Sequence, residues 1–154
     1  MTASDATPDP IRLSFEVACS AARAFELWTA RTSMWWPASH TVTAAPGLEV
    51  VFEGGDGGRI FERAPDGTEH DWGWITRWQP PGRLVYRWHL RSDRADATEV
   101  EIRFTDLGKG RARVDIEHRG WELLGSAGPA RREGNLAGWG SLLPHFVAAA
   151  REAA

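Results

Sequence analysis

Leu84-Val85-Tyr86-Arg87-Trp88-His89-Leu90-Arg91 puts Leu84, Tyr86, Trp88 and Leu90 on one side of the chain and Val85, Arg87, His89 and Arg91 on the other. A period of two marks a strand with one face buried. The pattern repeats downstream. Val100, Ile102 and Phe104 alternate with Glu99, Glu101, Arg103 and Thr105, and Val114, Ile116 and His118 alternate with Asp115, Glu117 and Arg119. Leu107-Gly108-Lys109-Gly110 turns the chain between them. Upstream, His70–Trp78 reads as a longer strand stopped by Pro80-Pro81-Gly82. Arg59–Arg63 and Leu48–Phe52 read as shorter ones. Gly54-Gly55-Asp56-Gly57-Gly58 parts those two, and Pro65-Asp66-Gly67 supplies a turn.

Two helical periods bracket these strands. Ile11–Val17 alternates as a first strand, and Ser20 then caps a predicted helix over Ala21–Arg31 with Ala21, Phe25 and Trp28 inward. At the other end Leu136, Trp139, Leu143, Phe146, Val147 and Ala150 recur at spacings of three and four. Pro129 suits the first turn of this long helix, and Pro144 inside it predicts a bend. Short turns between consecutive strands imply an antiparallel meander, and one amphipathic helix remains to cover its apolar face. The fold class is α+β: a curved antiparallel sheet of six to seven strands around a long C-terminal helix. We expect a disordered tail over residues 1–10 and one domain over 11–154.

Composition limits the function. The chain has 154 residues, 42% hydrophobic and 25% charged, with a formal net charge of −3, so no whole-chain basic footprint for nucleic acid is present. Arg83, Arg87, Arg91 and Arg94 face enough Glu and Asp on neighbouring strands to read as a paired, solvated face. No apolar run reaches membrane-spanning length, and residues 1–10 lack a signal peptide's apolar stretch. Cys19 is the sole cysteine, so no internal disulfide forms and a cytoplasmic location is expected. The five histidines are scattered without an i,i+4 helical pair, and we expect no metal and no cofactor. Ser126 lacks the glycine two residues before it that a nucleophile elbow needs, and the glycine-rich loop at 54–58 lacks a P-loop's Lys-Ser/Thr. That loop reads as a lip over a cavity.

Nine Trp against one Tyr exceed what a domain of this size needs to fold. Tyr86, Trp88 and His118 share phase with inward residues, Trp139 lies on the inner helix face, and His70, Trp72, Trp74, Thr76 and Trp78 share one face of their strand. Alternation leaves open which face of that strand points inward. The candidate ligand cavity is therefore bordered by Trp74, Tyr86, Trp88, His118 and Trp139. His118 reads either as a cavity acid–base group or as a satisfied core histidine. Glu62, in phase with Ile60, is its candidate partner.

The chain resembles the START-like (SRPBCC) superfamily and, within it, the family of activators of heat shock protein 90 ATPase. The resemblance spans residues 11 to 152. It rests on Cys19-Ser20-Ala21-Ala22 leading into Phe25 and Trp28, Trp35-Trp36-Pro37, Gly57-Gly58-Arg59-Ile60, Trp72-Gly73, Trp78-Gln79-Pro80-Pro81-Gly82-Arg83-Leu84, Thr98-Glu99-Val100, His118-Arg119-Gly120-Trp121 and Gly138-Trp139. It implies a helix-grip (Bet v 1-like) fold and a hydrophobic small molecule held between sheet and long helix. The alternatives it implies are a polyketide cyclase/dehydrase-like enzyme using His118 and Glu62, and a chaperone-interacting module.

Overall fold

The computed structural model describes residues 9–153. Of the tail expected over 1–10, all but Asp9 and Pro10 lies outside the described residues. The elements run β1 (Ile11–Val17), α1 (Ala21–Thr29), β2 (Glu49–Phe52), β3 (Arg59–Arg63), β4 (Glu69–Gln79), β5 (Arg83–Trp88), β6 (Thr98–Gly108), β7 (Arg111–Arg119) and α2 (Gly128–Ala153). The seven strands form one antiparallel sheet ordered β1-β7-β6-β5-β4-β3-β2. The chain thus meanders from β2 at one edge across to β7, and β1 closes against β7 as the other edge.

Helix α1 begins where Ser20 caps it, its Oγ accepting from the Arg23 N–H at 3.1 Å. Asp106 Oδ1 on β6 accepts from the Ala21 N–H at 2.8 Å, so a second free amide of the first turn is met and the helix is tied to the sheet. Helix α2 buries Trp139, Leu142, Phe146 and Ala150 against the concave face, with Leu136, Leu143 and Val147 half-buried beside them. The helix runs without interruption through Pro144, where a bend was expected. Pro144 sits on the exposed side, where water can meet the Gly140 carbonyl that loses its N–H partner.

Strand β4 departs from simple alternation. Its pairing with β3 slips between Ile60 and Phe61, and its pairing with β5 slips between Ile75 and Arg77. Each bulge adds one unpaired residue, which reverses the phase of the residues beyond it. Trp72, Gly73 and Ile75 consequently face the core. Trp74, expected to share a face with Trp72, points to the outer side, where the Arg94 guanidinium lies 3.8 Å from its ring centre. Gly73 is required at this crossing. A Cβ there would stand 1.9 Å from the Arg87 carbonyl oxygen on β5.

The outer face is ionic, as the charge alternation predicts. Arg119 on β7 reaches Glu99 at 2.8 Å, Glu101 at 2.9 Å and Glu117 at 3.1 Å, and Glu101 also takes Arg83 at 2.9 Å. Burial pushes the Glu101 carboxyl up, but the Arg83 and Arg119 hydrogen bonds outweigh it and hold it below its ordinary value.

Candidate functional site

His118 stands near the end of β7, fully buried. Its Nδ1 accepts from the Trp139 indole N–H of α2 at 3.1 Å, which places the ring's single proton on Nε2. That proton goes to Thr98 Oγ1 at 2.6 Å, and the Thr98 hydroxyl in turn donates to the Trp88 carbonyl at 3.4 Å. Trp121, fully buried, lies 4.4 Å from the imidazole and donates its own N–H to the His118 carbonyl. Burial, with the Arg131 charge adding to it, pushes the imidazole pKa down to about 3. Both ring nitrogens are engaged, so His118 joins helix to sheet as a neutral pillar.

This gives a pH dependence with a definite sign. The folded pKa lies below the ordinary histidine value of about 6.5, so the unfolded chain binds this proton first. Stability from His118 is complete above about pH 6.5 and falls as the pH drops toward 3, by roughly 2 kcal/mol at pH 5. Denaturant melts of the wild type and His118→Asn between pH 7 and 5 check this. The wild type should lose the larger share of its own stability; parallel losses would mean that the imidazole is charged inside the fold.

Glu62 does not join His118. Burial raises its pKa, but the Val42 N–H (2.6 Å), the Thr43 N–H (3.0 Å), the Thr43 hydroxyl (2.8 Å) and the Trp72 indole N–H (2.8 Å) outweigh burial and hold the carboxylate below its usual range. It ties the loop before β2 to β3. The two groups share no hydrogen-bond partner, and the expected acid–base pair is not assembled. Among the described residues, no three His, Cys, Asp or Glu side chains converge as metal ligands.

The space between sheet and α2, expected as the ligand cavity, is largely filled by rings. Trp28 meets Trp35 at 5.0 Å, Phe146 at 4.9 Å and Trp139 at 6.1 Å, while Trp88 meets Tyr86 at 5.6 Å and Trp72 at 5.7 Å. A gap of about 60 Å³ remains at Trp36, Trp88, Leu90 and Trp139, room for a few waters. A larger opening with mostly apolar walls lies elsewhere. An apolar cleft of about 560 Å³ runs between α1 and the ends of β2 and β4, walled by Ala22, Phe25, Thr29, Phe52, Trp78 and Pro81. That volume is of the size small-molecule pockets have. Gly54 of the glycine-rich loop borders it, and the loop is tied down: the Gly57 N–H bonds the Ile75 carbonyl at 2.7 Å and the Trp78 N–H bonds Asp56 Oδ1 at 2.8 Å.

Of the expected cavity residues, Trp88 and Trp139 border the small gap, Tyr86 lies deep among the rings, His118 is sealed and Trp74 is outside. Phe25, Phe52 and Trp78 line the cleft, and of these only Phe25 was legible as an inward residue. Nothing in the local pattern signals that three separate segments meet there.

A sheet of seven antiparallel strands closed around one long helix, with an apolar cleft at the rim, is the helix-grip fold of START-like proteins. Within that class the chain belongs to the family of activator of Hsp90 ATPase homolog 1-like proteins, whose sequence profile matches residues 18–150. Similar solved structures include the anthrahydroquino-γ-pyrone synthase Txn09, 39% identical with a TM-score of 0.55 over 72% of this chain and 76% of that one. CalC, a self-sacrificing resistance protein from Micromonospora echinospora, is 30% identical with a TM-score of 0.67, covering 90% and 91%. An Hsp90 activator from Plasmodium falciparum shares the fold at 16% identity, with a TM-score of 0.53 over 73% of each chain. No match was found among curated proteins. Among the described residues, no helix is long and apolar enough to cross a membrane.

Proposed function

We propose that this chain binds a flat, apolar or aromatic small molecule at the rim of the helix grip. The observation that carries this is the cleft of about 560 Å³ with Phe25, Phe52, Trp78 and Pro81 in its walls. The similarity to Txn09, an anthrahydroquino-γ-pyrone synthase by name, favours a polycyclic aromatic over a flexible acyl chain. Binding stands ahead of acid–base catalysis, because His118 is neutral with both nitrogens occupied and Glu62 is held by four donors. The charged outer face lends the chaperone-module reading no support. A single START-like domain over 11–154 and a cytoplasmic location belong to the same reading, supported by the family match and the unpaired, buried Cys19.

Calorimetric titration with planar aromatics tests it. Saturable binding is expected, and Trp78→Ala should weaken it about tenfold through lost ring contact. Trp74→Ala, on the outer face, should leave it unchanged. Absence of saturable binding to any flat aromatic would overturn the reading.

A further inference from the structure

Strand β2 is a free edge of the sheet. In an antiparallel pair alternate residues turn their N–H and carbonyl toward the partner strand, and the others turn them away. The Glu53 N–H bonds the Arg59 carbonyl at 2.9 Å, so Glu53 faces β3 and Phe52, beside it, faces outward. Val50, two residues earlier, also faces outward, and there the Ser33 hydroxyl accepts from its N–H at 2.8 Å and donates to its carbonyl at 3.3 Å. Phe52 has no such cap. Among the described residues, nothing hydrogen-bonds its N–H or its carbonyl on the edge side, although the residue is only 7% exposed. Native proteins pair nearly all such groups.

The Phe52 edge borders open space. A second opening, of about 580 Å³, adjoins the apolar cleft. Glu26, Thr29, Ala30 and Phe52 belong to the walls of both. Glu26 and Ala30 lie one turn apart on one face of α1, so the two openings follow each other along that face. Glu49, Val50, Val51 and Phe52 all line the second opening. Successive strand residues point to opposite faces of a sheet, so four in a row make the strand's edge the wall. Ser33, which caps that edge at Val50, lines it too. The uncapped Phe52 peptide thus stands where the apolar cleft and the second opening join.

We infer that the Phe52 edge is the polar anchor of the ligand, and that the ligand is an N-acylated aromatic amino acid. This rests on the binding reading above and names its ligand class. An amino-acid residue with an acyl group on each side offers its N–H to the Phe52 carbonyl and its own carbonyl to the Phe52 N–H, as an opposing strand residue would. Residues directly opposite each other share a face of the sheet, so the ligand's ring falls beside the Phe52 ring, in the cleft with Phe25 and Trp78. Ser33 already holds Val50, so the pairing stops after one residue and a longer strand gains no bonds there. The polar flank of the ligand runs into the second opening, where Arg31 and Glu49 stand in the wall.

The test compares N-acetyl-2-naphthylalanine N-methylamide with its ester analogue, in which oxygen replaces the N–H of the acetylated nitrogen. The two share ring and shape and differ in the donor to the Phe52 carbonyl. The wild type should bind the amide about tenfold more tightly, the value of one hydrogen bond to an acceptor otherwise left unmet. Trp78→Ala should weaken both probes alike and keep that ratio. At saturation the amide should slow hydrogen exchange of the Phe52 main-chain N–H about tenfold or more, while the Val50 N–H, already held by Ser33, stays as it was. Equal affinity for the two probes, or a Phe52 N–H that exchanges as fast with the amide bound as without it, overturns the anchor. If simple planar aromatics bind and the naphthylalanine amide does not, the anchor falls and the binding reading stands. If neither binds, the two fall together.

Discussion

Trp139→Ala should cost about 3–5 kcal/mol, a large part of what holds a domain of this size folded. The indole is 6% exposed and stacks on Trp28 at 6.1 Å with 28° between the planes. Removing it opens a cavity in the middle of the aromatic interior. It also strips His118 Nδ1 of its only donor, leaving a buried acceptor unmet. Trp139→Phe separates the two effects. It keeps most of the ring and loses the N–H, and should cost about 1–3 kcal/mol. Urea denaturation of both variants measures this. A Trp139→Ala protein within about 1 kcal/mol of wild type would mean that α2 does not anchor the sheet through this residue.

Gly73→Ala should come next in size, at about 3 kcal/mol, the upper part of the range for overpacking a tight site. The new methyl would meet the Arg87 carbonyl oxygen at 1.9 Å, the Arg87 carbonyl carbon at 3.0 Å and the Trp88 Cα at 3.4 Å. All three are backbone atoms, so no rotamer change relieves the clash and β4 must part from β5. The Trp72 carbonyl, which accepts from the His89 N–H at 2.7 Å, lies beside that crossing, and the His89 amide should lose protection first. Amide exchange at His89 together with a thermal melt is the measurement. An unchanged melting temperature would show that β4 takes the methyl without strain.

The meander was legible because β5 and the inner stretches of β6 and β7 alternate without interruption: Leu84 to Trp88, Val100 to Phe104 and Val114 to His118 keep one phase from end to end. Strand β4 was not, because two bulges change its phase, and a bulge leaves little mark on composition beyond a glycine such as Gly73. Trp72 and Trp74, equivalent by counting, therefore end on opposite faces. His118 was legible as an inward residue. Its role was not, since its partners Thr98 and Trp139 come from 20 and 21 residues away. The cleft was hidden for a similar reason: Phe25, Phe52 and Trp78 come together only when α1 docks on the rim of the sheet.

The ring contacts have an optical consequence. Trp28–Trp35 (5.0 Å), Trp35–Trp36 (5.3 Å), Trp36–Trp72 (5.2 Å) and Trp72–Trp88 (5.7 Å) form an unbroken run of indoles, and Trp28 carries it on to Trp139. Chromophores this close share excitation, so light absorbed at one ring migrates along the run before it is emitted. Their transition dipoles also couple, and the folded chain should show a paired positive and negative band in the indole region of its circular dichroism. A quencher touching Trp88 at the small gap would then darken rings far from it, including Trp28. The emission of this protein reports the whole aromatic interior as one antenna.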